Sequence, residues 1–295
     1  MATNYRRWRT IAGAGLIALC GAALLALGVT RGRAVARDDS GNALFSEARD
    51  GSVTLALAPA VTDVTVHGPA GRPIVVLDAG HGGRDPGATA VSGAVTEKQL
   101  TLALVEELRD LLIERGRLRV ALTRDGDTYL TLDQRAAIAR RLGASLYLSV
   151  HMDSAPNPLA RGASVYSLSD VASDSDAARF ARVENGAAEA SSADAGSAEA
   201  ILSDLALRDQ MGASADLAQR MVRKAAGRVL LRPEPHRFAD FHVLRRAAVP
   251  AVLFEAGYIS NAEDELTLTS PEQRAKIVTA LAQTIEADVA ARRNR

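Results

Sequence analysis

Two histidines and two glutamates in this sequence stand at or beside the ends of predicted strands. His81 follows the apolar run IVVLDAG, His151 ends LYLSVH, and Glu255 ends AVLFE. Glu97 lies in the first turn of the helix predicted after the first of these strands. Because ligands of open α/β sheets bind at the carboxyl edge of the strands, we expect the four side chains to converge there.

Two imidazoles and one carboxylate around one point form a His₂Glu set, which is common for catalytic zinc and leaves one coordination position for water. A further carboxylate beside that water can take its proton and pass it to a leaving amine. These residue types in this arrangement predict a zinc-dependent hydrolase. The glycines at positions 80, 82 and 83 allow backbone and substrate to approach the site closely.

Each of these residues can also be explained by a purely structural role. His81 and His151 fit hydrogen-bonded residues at strand ends, and Glu97 fits an acid that complements a helix dipole. Glu255 is harder to explain in this way, because an acid inside an apolar strand is costly unless it is paired. The other histidines lack strand-end placement, and we expect them to be structural: His67, His236 and His242.

Alternating strand and helix patterns position these residues. Predicted strands are IVVL, LRVALTRD, SLYLSVH, ASVYSLS and PAVLFEAGYISN, and helices begin at the capping signals TEKQ, TLDQ and SPEQ. This order predicts an α/β fold with a mainly parallel central sheet, helices on both faces and the zinc site at the carboxyl edge of the strands. The segment 169–200 is rich in small and polar residues and is expected to be an insertion that buries no core. A helix is expected within SDAARFARVENGAAEA and a second at 215–229.

Charge and cysteine content limit the chemistry. With 35 basic and 35 acidic residues the net charge is zero, and no basic patch indicates a nucleic-acid partner. The single cysteine, Cys20, lies in an apolar segment near the N-terminus, so we expect a metal site made from histidines and carboxylates.

The first 36 residues have the pattern of an export signal. Arginines precede the apolar run 11–29, and the small-x-small sequence Ala34–Ala36 follows. An uncleaved membrane anchor is the alternative, because 19 helical residues span about 28 Å. Either reading predicts an exported protein of the periplasm or cell envelope, with residues 37–72 as a linker or peripheral segment.

Six motifs resemble the zinc-dependent N-acetylmuramoyl-L-alanine amidases in content and order: VVLDAGHGGRDPGA, TEKQLTLAL, LTRDGDTYLTLDQRAAIA, LYLSVHMDSAPNP, RGASVYSLS and PAVLFEAGYISN. The resemblance implies that residues 73–295 form a catalytic domain that cleaves the amide between the lactyl group of N-acetylmuramic acid and L-alanine in peptidoglycan. It implies that Zn²⁺ is bound by His81, Glu97 and His151, with Glu255 as the catalytic carboxylate.

The insertion resembles the regulatory helix of the cell-division branch of this family, which covers the active site until a protein activator pulls it away. By this resemblance, the segment at about 170–230 is regulatory and Glu184 is an inhibitory zinc ligand; the alternative is a solvated helix with an ordinary surface glutamate. Residues 37–72 are too short for the septal targeting domain that members of this branch often carry.

Two other functions are considered. A wall-binding or regulatory module without catalysis is disfavoured, because all four proposed site residues are present. A zinc peptidase that cuts between amino acids differs from the amidase, at the level of sequence, only through the family resemblance.

Overall fold

The computed structural model describes residues 45–47, 53–55, 64–186 and 198–293. The chain divides into two compact units, residues 1–60 and 61–295. In the first unit, β1 (Phe45–Glu47) pairs antiparallel with β2 (Val53–Leu55). The predicted signal or anchor, residues 1–36, lies outside the described residues. None of the helices in the described part combines the length and apolarity needed to cross a membrane.

The second unit contains a seven-stranded sheet with the order β3-β5-β4-β6-β9-β7-β8. The strands are β3 (Val66–His67), β4 (Ile74–Ala79), β5 (Arg119–Leu122), β6 (Leu146–Asp153), β7 (Ala163–Leu168), β8 (Leu231–Ala239) and β9 (Ala251–Tyr258). The helices are α1 (Glu97–Arg115), α2 (Leu132–Arg141), α3 (Ser175–Asn185), α4 (Ala198–Ala225), α5 (His242–Ala247), α6 (Ala262–Thr269) and α7 (Pro271–Arg293).

The sheet is mainly parallel, as predicted, with two antiparallel pairings. Strands β5, β4, β6 and β9 run parallel to one another, and β8 runs parallel to β7. Strand β3 is antiparallel to β5, and β7 is antiparallel to β9. No helix separates β6 from β7. Because a parallel connection needs a long crossover, the chain reverses direction there.

Helices cover both faces of the sheet. On one face α1, α4 and α7 pack on β4, β6 and β9, with Leu104, Leu217 and Ile277 in the buried cluster. On the other face α2, α3 and α5 pack over the same strands, with Ile138, Phe180 and Leu244 buried. The predicted three-layer α/β architecture is confirmed.

The insertion contributes to the core, and the expectation that it does not was wrong. Three residues of α3 at helical spacing, Ala177, Phe180 and Ala181, are buried. The Phe180 ring lies 5.4 Å from the Tyr166 ring and 5.7 Å from the Phe241 ring, centroid to centroid. One large aromatic side chain therefore anchors this otherwise small and polar helix on the sheet.

The end of the insertion also differs from prediction. Helix α4 begins at Ala198 and ends at Ala225, so it starts earlier and ends earlier than the predicted 215–229. Strand β8, with sequence LRPEPHRFA, was not predicted. It is an edge strand, where proline is tolerated because one side of the backbone has no ladder to complete.

Candidate metal centre

The structure brings the three predicted metal ligands together. His81 Nε2 lies 3.0 Å from Glu97 Oε1, and His151 Nδ1 lies 3.1 Å from the same oxygen. One nitrogen or oxygen atom from each residue falls within 4.8 Å of the others. Glu97 and His151 are buried, and His81 is nearly so. Three potential ligand atoms therefore face one point.

Backbone geometry produces this convergence. Strands β4 and β6 are parallel neighbours, so their carboxyl ends deliver His81 and His151 to the same edge of the sheet. Glu97 is the first residue of α1, whose start is fixed by Thr96 N–H donating to Gln99 Oε1 at 2.8 Å. Position 80 requires glycine, because a Cβ there would lie 2.4 Å from the His151 ring.

Glu184 of α3 brings a carboxyl oxygen close to both imidazoles. Its Oε2 lies 3.1 Å from His151 Nδ1 and 3.7 Å from His81 Nε2. Four atoms bound tetrahedrally at ~2.0–2.1 Å from one zinc ion lie about 3.3–3.4 Å apart. The four separations measured here, 3.0, 3.1, 3.1 and 3.7 Å, fall around this value, so the donor set fits a zinc ion.

The atoms around the ligands favour metal binding. His81 Nδ1 lies 2.9 Å from Asp85 Oδ2, which orients the ring and leaves Nε2 for a metal. His81 Nε2 is buried and has no hydrogen-bond partner among the described residues. Glu97 is held from both sides, because Oε1 accepts from Met152 N–H at 3.0 Å and Oε2 from Ala88 N–H at 3.0 Å.

The site carries more negative than positive charge. Four carboxylates, those of Asp85, Glu97, Glu184 and Glu255, surround two imidazoles. Burial would lower the pKa of His81, but the carboxylates of Asp85 and Glu97 outweigh it and raise that pKa to about 10. Burial and the nearby Glu97 carboxylate raise the pKa of Glu184, against the attraction of the imidazoles. A divalent cation at the centre would balance this charge.

Glu255 lies beside this cluster and is fully buried. On the sheet it is opposite His151 of β6 and Ser164 of β7. Neither carboxyl oxygen has a hydrogen-bond partner among the described residues. Burial, followed by the charges of Asp153, Glu97 and Glu184, raises the pKa of Glu255 well above its usual range. A buried acid without a partner costs stability, so its position is that of a functional group rather than a structural one.

A cavity of about 850 Å³ opens onto the cluster. His81, Glu97 and His151 line its floor, and residues of α2 and α3 line its walls. Three histidines are elsewhere: His67 ends β3, His236 Nε2 lies 2.9 Å from Ser167 Oγ on the outer strands, and His242 begins α5. Four of the five sequence-predicted site residues, His81, Glu97, His151 and Glu184, thus line one cavity, and Glu255 lies beside His151 on the neighbouring strand.

Sequence reasoning missed two residues of the centre. Asp85 was part of the quoted motif, but nothing in the sequence shows that it returns to His81. Gly87 has φ +65°, and a Cβ there would lie 2.7 Å from both Glu97 Oε2 and the His81 ring. The only signal was the density of glycines after the strand, which marks close packing without naming the neighbour.

The part of the chain that holds these residues matches a known protein family. The family described as N-acetylmuramoyl-L-alanine amidase matches this chain over residues 75–287, which contain all five predicted site residues. The chain belongs to this family. It is 37% identical over 218 residues to the N-acetylmuramoyl-L-alanine amidase AmiA of Escherichia coli K12, covering 72% of this chain and 75% of that protein.

Further relatives and solved structures agree with this assignment. The amidase is 31% identical to the probable N-acetylmuramoyl-L-alanine amidase AmiB of Haemophilus influenzae, over 69% of this chain and 49% of that one. Its fold matches the catalytic domain of CwlV from Bacillus (Paenibacillus) polymyxa with a TM-score of 0.56 and 28% identity, over 73% and 97% of the two chains. The fold also matches Ami1 of Mycobacterium smegmatis, with a TM-score of 0.56 at 23% identity over 76% and 99%.

A buried polar network lies beneath the cluster of this amidase. Asp78 Oδ1 accepts from Thr123 Oγ1 at 2.6 Å and from Arg135 Nη1 at 2.8 Å, and Oδ2 accepts from Ser149 Oγ at 2.6 Å. Burial alone would raise the pKa of Asp78, but the Arg135 cation and the two hydroxyl donors hold it well below the usual range. The ionised carboxylate therefore stabilises the fold.

We expect Asp78→Asn to lower the free energy of unfolding by about 3–5 kcal/mol at pH 7, because it leaves Arg135 as an unpaired buried cation. The difference from the parent should shrink as the pH falls. In the unfolded chain Asp78 binds a proton near pH ~3.9, whereas in the folded protein it does so only at lower pH, so the parent loses stability below about pH 4. Urea denaturation from pH 7 to 3 measures this. A difference that widens at low pH would contradict it.

Proposed function

We propose that this protein is a zinc-dependent peptidoglycan amidase that hydrolyses the amide between the lactyl group of N-acetylmuramic acid and L-alanine. The observation that carries the proposal is the meeting of His81, Glu97 and His151 beside the unpartnered carboxyl of Glu255. Family membership supports the substrate, since the relatives are named for this reaction. The residues 73–295 are proposed as the catalytic domain.

In this proposal His81, Glu97 and His151 hold the zinc ion. When bound, zinc polarises the amide carbonyl and lowers the pKa of water from 15.7 towards ~7. Glu255 accepts the proton of the attacking water on its carboxylate and returns it to the alanine nitrogen, because that nitrogen would otherwise have to leave as an anion. Asp85 keeps the proton of His81 on Nδ1, so that Nε2 stays a ligand.

The proposal also includes autoinhibition by α3. Glu184 fills the position that water or the substrate carbonyl needs, so the arrangement described is the resting state. Two kinds of contact hold α3 down. Phe180 packs on Tyr166 and Phe241, and Asn185 donates to Asp240 O at 2.7 Å and accepts from His242 N–H at 2.9 Å. Full activity then requires a partner protein that displaces this helix, and the protein alone has a low basal activity.

The same proposal places the protein outside the cytoplasmic membrane, where peptidoglycan lies. The charged and apolar pattern of residues 1–36 supports export, by a cleaved signal or by an anchor through residues 11–29. A periplasmic or wall-facing position would give the catalytic domain access to glycan strands.

Digestion of purified sacculi tests the reaction. We expect the full-length protein to release intact stem peptides and leave free lactyl carboxylates on the glycan, as detected by mass spectrometry. Chelation of zinc should abolish the release, and added zinc should restore it, because the proposed site has no other Lewis acid.

Two outcomes would contradict the proposal. New ends between amino acids would identify a peptidase of another specificity. Binding to sacculi without release, at saturating zinc and with the Glu184 carboxylate removed by the Glu184→Ala substitution, would identify a wall-binding module.

A further inference from the structure

The backbone that carries His81 has an unusual conformation. Strand β4 ends at Ala79, and two residues later His81 has φ +59°, in the left-handed region that residues with a Cβ seldom adopt. Such a residue costs on the order of 1 kcal/mol or more, and it persists only where surrounding contacts hold it. Something must therefore hold the peptide bonds on either side of this side chain.

Arg135 of α2 contacts this backbone directly. Its Nη1 donates to Ala79 O at 2.6 Å and to Asp78 Oδ1 at 2.8 Å, and its Nη2 donates to His81 O at 2.6 Å. Its Nε donates to Leu130 O at 3.2 Å. The side chain is 4% exposed, so these acceptors replace water. A planar guanidinium fits this fork of acceptors, whereas an ammonium does not.

A second buried arginine holds the peptide between them. Arg124 Nε donates to Ala79 O at 3.0 Å, and its Nη2 donates to Gly80 O at 2.9 Å. Thr101 Oγ1 of α1 also donates to Gly80 O, at 2.9 Å. Burial and the adjacent Arg135 cation lower the pKa of Arg124 to about 10, so these two like charges lie close together. Two cations lie this close only where the carbonyl acceptors compensate for their mutual repulsion.

We infer that Arg135, Arg124 and Thr101 form a carbonyl clamp on residues 79–81 that positions His81 for the metal. The inference rests on the proposed function, because it assigns His81 to zinc. Arg135 is the central positioning residue, since it alone in this clamp bonds the carbonyl of His81 itself among the described residues. Its hydrogen bonds go to backbone carbonyls and to Asp78 rather than to the imidazole, so it acts through the direction in which the imidazole points.

The test measures zinc affinity of the full-length protein with a competing chromophoric chelator, together with the Tm of zinc-free protein. Arg135→Lys should weaken zinc binding about 10–100-fold in protein that is still folded. The control is Arg274→Lys, because Arg274 is also a buried arginine, paired with Glu107 at 2.6 Å and bonded to Leu268 O at 2.8 Å, away from the proposed ligands. It should lower Tm and leave zinc affinity unchanged.

Thr101→Val tests the carbonyl clamp if Arg135→Lys does not fold. Valine has nearly the shape of threonine, and Gly80 O keeps its bond to Arg124, so the protein should fold and bind zinc several-fold more weakly. Equal zinc affinity in the folded variants and the parent would overturn the inference, as would an equal loss in Arg274→Lys. If the parent itself binds no zinc, the proposed function fails, and that result is distinct from a clamp that has no effect.

Discussion

Glu255→Gln is expected to lower turnover of sacculi by about 10²–10⁴-fold while zinc content stays at the parent level. The amide can neither accept the proton of the attacking water nor return one to the alanine nitrogen. Glutamine has the shape of glutamate, and the parent carboxyl makes no hydrogen bond among the described residues, so the substitution breaks no contact. Burial penalises the charged carboxylate, so the variant should also be at least as stable as the parent.

The measurement is the rate of stem-peptide release at saturating zinc, with metal content by mass spectrometry and Tm for each protein. Glu263→Gln is the matched control, because Glu263 is an exposed glutamate on α6, pairs with Arg161 at the surface and should leave the rate unchanged. Parent-like release by zinc-loaded Glu255→Gln would remove Glu255 from the mechanism. Loss of zinc together with activity would instead make Glu255 a metal ligand.

Glu184→Ala is expected to raise basal activity by roughly 10-fold or more. A hydrogen-bonded charged group contributes ~1.5–3 kcal/mol, and each ~1.4 kcal/mol shifts an equilibrium tenfold. Removing the carboxylate frees the position that it fills near His151 and His81 and weakens the hold on α3. The measurement is stem-peptide release without any added partner protein.

Asp176→Ala is the control for this gain, because Asp176 is an exposed acid in the first turn of the same helix. If loss of helix stability alone caused activation, both variants would be activated. Unchanged low activity in Glu184→Ala, with zinc at full occupancy, would show that α3 does not silence the enzyme through this side chain.

The sequence was sufficient to predict which side chains meet in the structure, because these residues follow readable signals. His81, His151 and Glu255 each end an apolar run, and Glu97 follows the capping threonine of α1. These signals are local, and the parallel pairing of the strands then brings the side chains to one edge of the sheet. The proposed position of Glu184 could be inferred only from the family, since nothing local in α3 indicates that its glutamate faces two imidazoles.

What sequence could not supply depends on contacts between distant segments. Phe180 appears as a single aromatic in a polar helix, and only the rings of Tyr166 and Phe241 give it a buried site. Strand β8 contains two prolines, which argue against a strand until its edge position is known. In the sequence, the two arginines of the carbonyl clamp on residues 79–81 cannot be distinguished from ordinary charged residues.

The contact between Glu184 and the two imidazoles has a consequence for small molecules. Under the proposed autoinhibition, a hydroxamate or another zinc-chelating drug would compete with that carboxylate for one coordination position, so it would bind poorly to the resting enzyme and tightly to the opened one. Because such coupling is reciprocal, the drug would also increase the affinity of the enzyme for a partner protein that displaces the helix. Under the same proposal, screening without that partner would overlook the compounds that bind best to the opened enzyme.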